Sequence, residues 1–269
     1  MSDELQEQSK KTISTADLSP AAWPAAELAR YLDGSDGGDA TPGQVEAGRA
    51  MVAGSLSAFA TYAGVQTLKA GGSAADAAIA AMLAQIAANG GSRVSYAGFL
   101  SVMVYDAASK QVHSLSAPYR VPKGETDPLT IPRGGVGTAV APSGRTAYVP
   151  GVIAGAQALH ERFGKLPWGA VFEPAIYLTE RGFVLGPLAS RIESQRGVLG
   201  RLPETRAVFF KPDGSSYGAA EMWRQPALAG TLRKVAAEGA GYMYRGAWAE
   251  RFVAALQREG GRMTMDDLA

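Results

Sequence analysis

Two arginines lie where a guanidinium could do binding chemistry. Arg93 is in GGSRVSYAGF, directly before the apolar stretch FLSVMVY, and Arg120 is in SAPYRVP, just after QVHSLS. If those two stretches pair, both arginines fall near the same edge of one sheet. A guanidinium there can hold a carboxylate through two parallel N–H donors; a surface or structural ion pair is the plainer use of the same residue. The rest of the inventory is sparse. The chain has no G-x-S-x-G elbow, H-E-x-x-H helix, Walker loop or G-x-G-x-x-G turn. It has no cysteine, which removes disulfides, thiolate metal sites and a thiol nucleophile. His113 and His160 are too few for a multi-histidine metal centre. Nothing pairs either with a nucleophile at a readable spacing, so both read as structural. The Asp266-Asp267 pair reads as a helix cap or a solvated turn. Gly71-Gly72 could face a phosphate at a helix start, but the strand before and acidic residue after are missing.

The elements that must position these residues follow from pattern. SLSAFATYAGVQTLKAGG predicts a helix with Ser55 as candidate N-cap, Lys69 in its last turn and Gly71 as the glycine beyond it. Ser73 and Asp76 then form an S-x-x-D capping pattern for a second helix, AADAAIAAMLAQIAA. That helix is small-residued nearly all round, which suits burial on several faces with close backbone approach. FLSVMVY, DAASK and QVHSLS predict a hairpin with a five-residue loop. The near-continuous apolar run of FLSVMVY predicts a central strand covered on both faces. The Pro- and Gly-rich APYRVPKGETDPLTIPRGGVG reads as a long irregular loop. Helical patterns follow: a break near Pro174, Pro226 near the start of another helix, and Trp248, Phe252, Val253 and Leu256 on one amphipathic face. Strands followed by many helices indicate an α+β fold with helices layered over a sheet.

Residues 1–46, with Pro20, Pro24 and the turn-rich GSDGGDATPG, read as an N-terminal extension to a domain spanning 47–269. The net charge is +1, with scattered Lys and Arg, so no electrostatic case exists for a nucleic-acid or anionic-membrane partner. The charged start MSDELQEQSKK has no signal-peptide core, and alanine is too weakly hydrophobic to drive membrane insertion. The expectation is a soluble, cytoplasmic protein.

GGSAADAAIAAMLAQ, a glycine-containing turn and FLSVMVYDAASKQVHSL together resemble the large subunit of γ-glutamyltransferases. YVPGVIAGAQALHERFGKLPWGAVFEPAIYLTERGF and RQPALAGTLRKVAAEGAGYMYRGAWAERFVAALQREGGRMTMDDLA extend the match in order, from about Arg49 to Ala269. The resemblance implies an N-terminal-nucleophile (Ntn) hydrolase, an αββα four-layer sandwich completed by a small subunit, with the alanine helix flat on a sheet. In that family a precursor cuts itself, and the threonine exposed at the small subunit's new N-terminus attacks an amide carbonyl. Its own α-amine can serve as base, so no histidine and no cofactor is needed. This chain reaches DDLA before the family's cleavage site, and Thr264 does not match the nucleophile. The expected partner is therefore a small, nucleophile-bearing subunit from the same precursor, and the pair could assemble further into a dimer of heterodimers.

Two departures bear on substrate. Family members usually follow the hairpin with a D-F-R-E-like stretch whose arginine grips the substrate's α-carboxylate. Anchored on Leu115 and Pro122, this chain reads Ser116, Ala117, Pro118, Tyr119, so Pro118 holds the arginine position and Arg120 falls two residues later. In an extended segment that displaces a side chain by roughly 6–7 Å. Arg93, Ser95 and Tyr96 also replace glycines ahead of Gly98-Phe99. The expectation is an amidohydrolase for a small-molecule amide that is not a simple γ-glutamyl compound. Arg120 and Arg93 are the substrate-anchoring candidates, and Tyr96 and Tyr119 are candidates to line the pocket. Glutamyl hydrolysis or transfer with a relocated Arg120 is the alternative, and a non-catalytic binding or scaffold relative is a third reading.

Overall fold

The computed structural model describes residues 16–32, 50–54, 57–91, 94–131 and 142–269. The chain divides into two compact units: Met1–Val94 with Leu159–Ala236, and Ser95–Ala158 with Ala237–Ala269. In chain order the helices are α1 (Ala25–Leu32), α2 (Ala58–Lys69), α3 (Ala74–Ala88), α4 (Val152–Phe163), α5 (Glu173–Arg181), α6 (Leu188–Ser194), α7 (Arg196–Leu199), α8 (Pro203–Phe209), α9 (Pro226–Glu238), α10 (Gly241–Tyr244), α11 (Ala247–Arg258) and α12 (Met265–Leu268). Two antiparallel two-stranded sheets are described, β1 (Leu100–Asp106) with β2 (Gln111–Ala117), and β3 (Phe183–Val184) with β4 (Met222–Trp223). No helix among the described residues is long and apolar enough to cross a membrane.

The first unit is built on the α2–α3 pair. The N-cap of α2 is Ser57, whose hydroxyl accepts from Ala60 N at 3.2 Å; the expected cap, Ser55, lies outside the described residues. Gly71 follows the helix with φ +89°, as its place after the last turn predicts. The Ser73–Asp76 capping box forms as read. The expectation that α3 lies flat on a sheet is corrected: within its unit it packs on α2, on α5 and on the 3-10 turn Trp168–Phe172. Ala80, Ala84 and Ala87 are fully buried among these helices. Alanine is the right size because helix backbones come that close. A methyl added at Gly64 of α2 would stand 3.3 Å from the Ala77 carbonyl oxygen and 2.9 Å from a Val52 methyl.

Residues of the N-terminal stretch contribute to this core. Leu18, Trp23 and Leu28 are buried, with Trp23 edge-on to Tyr62 at 5.2 Å and Tyr31 stacked on Tyr62 at 4.8 Å. The Tyr62 hydroxyl donates to Glu27 of α1. Burial first, and then the Glu27 carboxylate, push the Tyr62 hydroxyl pKa well up. Elsewhere in the unit Trp223 is fully buried and donates from Nε1 to Val208 O at 2.8 Å.

In the second unit the β1–β2 register pairs Val102 with Leu115 and Val104 with His113 on the half-buried face. The opposite face carries Met103, Tyr105 and Val112, all exposed, with Met103 at 78%. FLSVMVY is thus an alternating strand here, not one covered on both faces. Its apolar outward residues conceal the period of two that marks a strand with one open face. The strand also runs one residue further than expected, so the loop is Ala107–Lys110. Asp106 shapes it by accepting from Ala108 N at 3.0 Å and Ser109 Oγ at 2.6 Å. A core of Val149, Ala249, Val253, Met263 and Leu268 gathers α11 and α12.

Candidate functional site

The hairpin's ladder stops at Ala117 because Pro118 has no N–H to give. The chain runs on and Arg120 forms an isolated antiparallel bridge with Val149, N to O 3.2 Å one way and 2.8 Å the other. Two residues beyond Val149 the backbone turns into α4, and Gly98 O accepts from both Gly151 N (2.8 Å) and Val152 N (3.1 Å). A Cβ on Gly151 would sit 2.4 Å from Ala117 O, and one on Gly155 would sit 2.8 Å from the Ala117 methyl. The first turn of α4 therefore packs on the open end of the hairpin at backbone distance. That packing fixes where residues 118–121 run.

Three aromatic rings mark this place. Tyr119 lies 5.1 Å from Phe99 and 5.4 Å from Tyr148, centroid to centroid, and the three are 44–57% exposed. Arg120 is exposed, and its Nη2 donates to the Asp267 backbone oxygen at 3.0 Å. Its Nε and Nη1 have no protein acceptor among the described residues. Lys123 N donates to Asp267 Oδ1 at 2.9 Å, so the segment is tied to α12 at two points. The partly buried phenol of Tyr244, pushed up in pKa by that burial, accepts from Ala154 N at 3.2 Å. Further along, Arg145 holds Glu125 through Nε (2.9 Å) and Nη2 (2.5 Å), and its hydrogen bonds keep the Glu125 carboxyl below the usual range.

Asp267 anchors the segment from Arg120 to Lys123. Its other oxygen, Oδ2, accepts from Thr264 N (2.8 Å) and Thr264 Oγ (2.9 Å), so the Asp266-Asp267 pair does serve as a helix cap. The hydroxyl of Thr264 is committed to that cap. Burial works to raise the Asp267 pKa, but the Lys123 and Thr264 donors outweigh it and hold the carboxyl below its ordinary value. A depressed folded-state pKa stabilises the fold above the unfolded-state value, roughly pH 4, and the gain is lost as pH falls through the folded-state value. The stability difference between wild type and Asp267→Asn should therefore be largest at neutral pH and shrink below about pH 4. Thermal melts of both proteins across that range check this; a pH-independent gap would remove Asp267 as the titrating anchor.

The structure thus brings Tyr119 together with Phe99 and Tyr148, and ties Arg120, the next residue, to Asp267. Tyr96 is half-buried in the Ser95–Gly98 turn, where Gly98 N donates to Ser95 O at 3.0 Å. Arg93 lies outside the described residues. The sequence reading passed over Phe99, taken as part of a strand, and Tyr148. It had no signal for Asp267 as the anchor of Arg120 and Lys123, because that tie spans more than 140 residues.

The fold belongs to the Ntn-hydrolase class, as the solved structures that match it show. A γ-glutamyltranspeptidase from Helicobacter pylori superposes with a TM-score of 0.74 at 25% identity, over 83% of this chain and 64% of that one. A cephalosporin acylase from Bacillus halodurans does so with a TM-score of 0.67 at 26% identity, over 78% of this chain and 40% of that one. Residues 60–269 match the family model for gamma-glutamyltranspeptidase, and the chain belongs to that family. Glutathione hydrolase proenzyme 1 of Schizosaccharomyces pombe is 35% identical over 208 residues, 77% of this chain. The chain spans about a third (32%) of that relative's length.

Proposed function

We propose that the chain is the large-subunit region, residues 47–269 behind an extension at 1–46, of an autoprocessed cytoplasmic amidohydrolase. Its substrate is a small amide other than a simple γ-glutamyl compound. The four-layer sandwich is completed by a small subunit from the same precursor, whose N-terminal threonine attacks the amide carbonyl. The "proenzyme" in the names of relatives supports processing into two parts.

One observation carries the substrate reading. Where the family presents its carboxylate-gripping arginine, this chain has Pro118, and the arginine two residues later already gives one nitrogen to Asp267 O. Tyr119, its neighbour in the chain, stands with Phe99 and Tyr148, and three exposed rings favour an acyl group with apolar or aromatic surface. That a cephalosporin acylase shares the fold supports a non-glutamyl acyl group. The second reading, a γ-glutamyl enzyme with relocated Arg120, draws on the same guanidinium, whose Nε and Nη1 have no protein acceptor among the described residues. Relatives named glutathione hydrolase favour it.

Intact mass of the full gene product, followed after expression, tests processing: two fragments are expected, the smaller beginning at threonine. A single uncut species would overturn the enzymatic reading. The processed protein is then assayed on a γ-glutamyl anilide and on anilides of aromatic and aliphatic acyl groups. Preference for the non-glutamyl set is expected, and preference for the γ-glutamyl anilide would install the second reading.

A further inference from the structure

The first unit holds a surface depression of about 370 Å3 lined by Arg196, Arg201 and Arg206 with the Phe210 ring and glycines between them. No carboxylate is among the lining residues. From this we infer a binding site for a compact, multiply charged oxyanion of the phosphate type.

The three arginines arrive by local structure. Arg196 opens α7, Arg201 follows that helix, and Arg206 lies in α8. Arg196 is the rigid member. Its Nε contacts both Glu193 oxygens, at 2.9 and 3.1 Å, its Nη1 donates to Gly214 O at 3.0 Å, and its Nη2 donates to Ser216 Oγ. Its guanidinium lies 4.6 Å from the Phe210 ring centre. Glu193 balances its charge, so Arg196 serves as a fixed wall. Arg206 is different. It is exposed and spends only Nε, on Gly200 O at 3.2 Å. Its Nη1 and Nη2 have no protein partner among the described residues. That Nε contact orients the fork, which cuts the ordering cost of gripping an oxyanion.

Two glycines keep the space open. A Cβ built on Gly197 or Gly214 meets nothing within 4 Å, and Gly214, at φ +82°, is a place where a side chain would be strained. The volume lies at the low end for small-molecule sites. The whole-chain charge of +1 gives no general attraction for anions, so retention here depends on local guanidinium geometry.

The test uses the full protein titrated with inorganic pyrophosphate by calorimetry at low ionic strength, with orthophosphate and citrate as comparison anions. Saturable binding with a Kd below about 1 mM is expected, weakening as salt is added. Orthophosphate should bind more weakly. Arg206→Gln should weaken pyrophosphate binding at least roughly tenfold, the loss of one charge-assisted fork. Gly197→Asp places a carboxylate in open space without a clash and should abolish binding. Melting temperatures without ligand check that both variants are folded, and pyrophosphate should raise the melting temperature of the wild type most, that of Arg206→Gln less and that of Gly197→Asp not at all. Absence of saturable binding, or equal binding in wild type and both variants, would overturn the site. Citrate binding as tightly as pyrophosphate would overturn the phosphate-type assignment.

Discussion

Replacing Asp76 by alanine should cost about 3–5 kcal/mol of folding free energy, the cost of removing one partner from a buried charged network. Asp76 is fully buried at the third position of α3. Its Oδ2 accepts four hydrogen bonds: Ser73 N (2.8 Å), Ser73 Oγ (3.0 Å), Lys165 N (2.9 Å) and Leu166 N (3.2 Å). Two donors belong to its own helix cap. The other two belong to the turn that leaves α4, some 90 residues later. His160, whose Nε2 lies 2.8 Å from Leu166 O and 3.6 Å from Asp76 Oδ1, braces that same turn. The alanine variant takes the acceptor from three backbone N–H groups, and the buried one, at Leu166, costs about 1–3 kcal/mol when left unpaired.

Asp76→Asn keeps an acceptor in place and should lose less than half as much. Urea unfolding of the three proteins gives the comparison. Amide exchange at Lys165 and Leu166 should accelerate most in the alanine variant. A loss under about 1 kcal/mol for Asp76→Ala would mean the turn is held by packing alone, not by the carboxylate.

Asp76 also shows what a sequence can and cannot reveal. Ser73-x-x-Asp76 is a local pattern, and the capping box it promised is present. The second half of the same carboxylate's work is invisible, because nothing in sequence ties residue 76 to residues 165 and 166. The alanine helix was read correctly as buried on several faces, but its neighbours were not. Small side chains announce close approach without saying whether a sheet or a helix approaches. At the site, the hairpin was legible from two strand-like stretches around DAASK, with Arg120 just beyond it. The aromatic trio was not, since Phe99 and Tyr148 meet Tyr119 only because the Arg120–Val149 bridge aligns two segments far apart in the chain. The outward face of β1 misled for a chemical reason: Met103 and Tyr105 are apolar residues in an exposed register. Such a face is compatible with the second subunit proposed above.

The largest functional effect expected is at Arg120. In the processed two-subunit protein, Arg120→Ala should lower kcat/KM for a substrate with an anionic acyl group by ~10²-fold, about what losing a paired charge-assisted contact costs. The loss should fall on KM, because a side chain that holds a part of the substrate remote from the reacting bond binds ground state and transition state alike. The structure makes a second variant informative. Arg120 reaches Asp267 O through one nitrogen, and a lysine can offer one donor to that oxygen but cannot present a fork. Arg120→Lys therefore retains the tie to α12 while losing bidentate recognition. If the arginine anchors substrate, Lys and Ala should both show the raised KM, with thermal stability preserved in Lys. If it only ties the segment to α12, Lys should restore wild-type kinetics and Ala should reduce stability along with activity. A neutral aromatic amide separates the two roles further. Its KM should be insensitive to Arg120 and should instead rise on Tyr119→Ala, which removes the central ring of the trio.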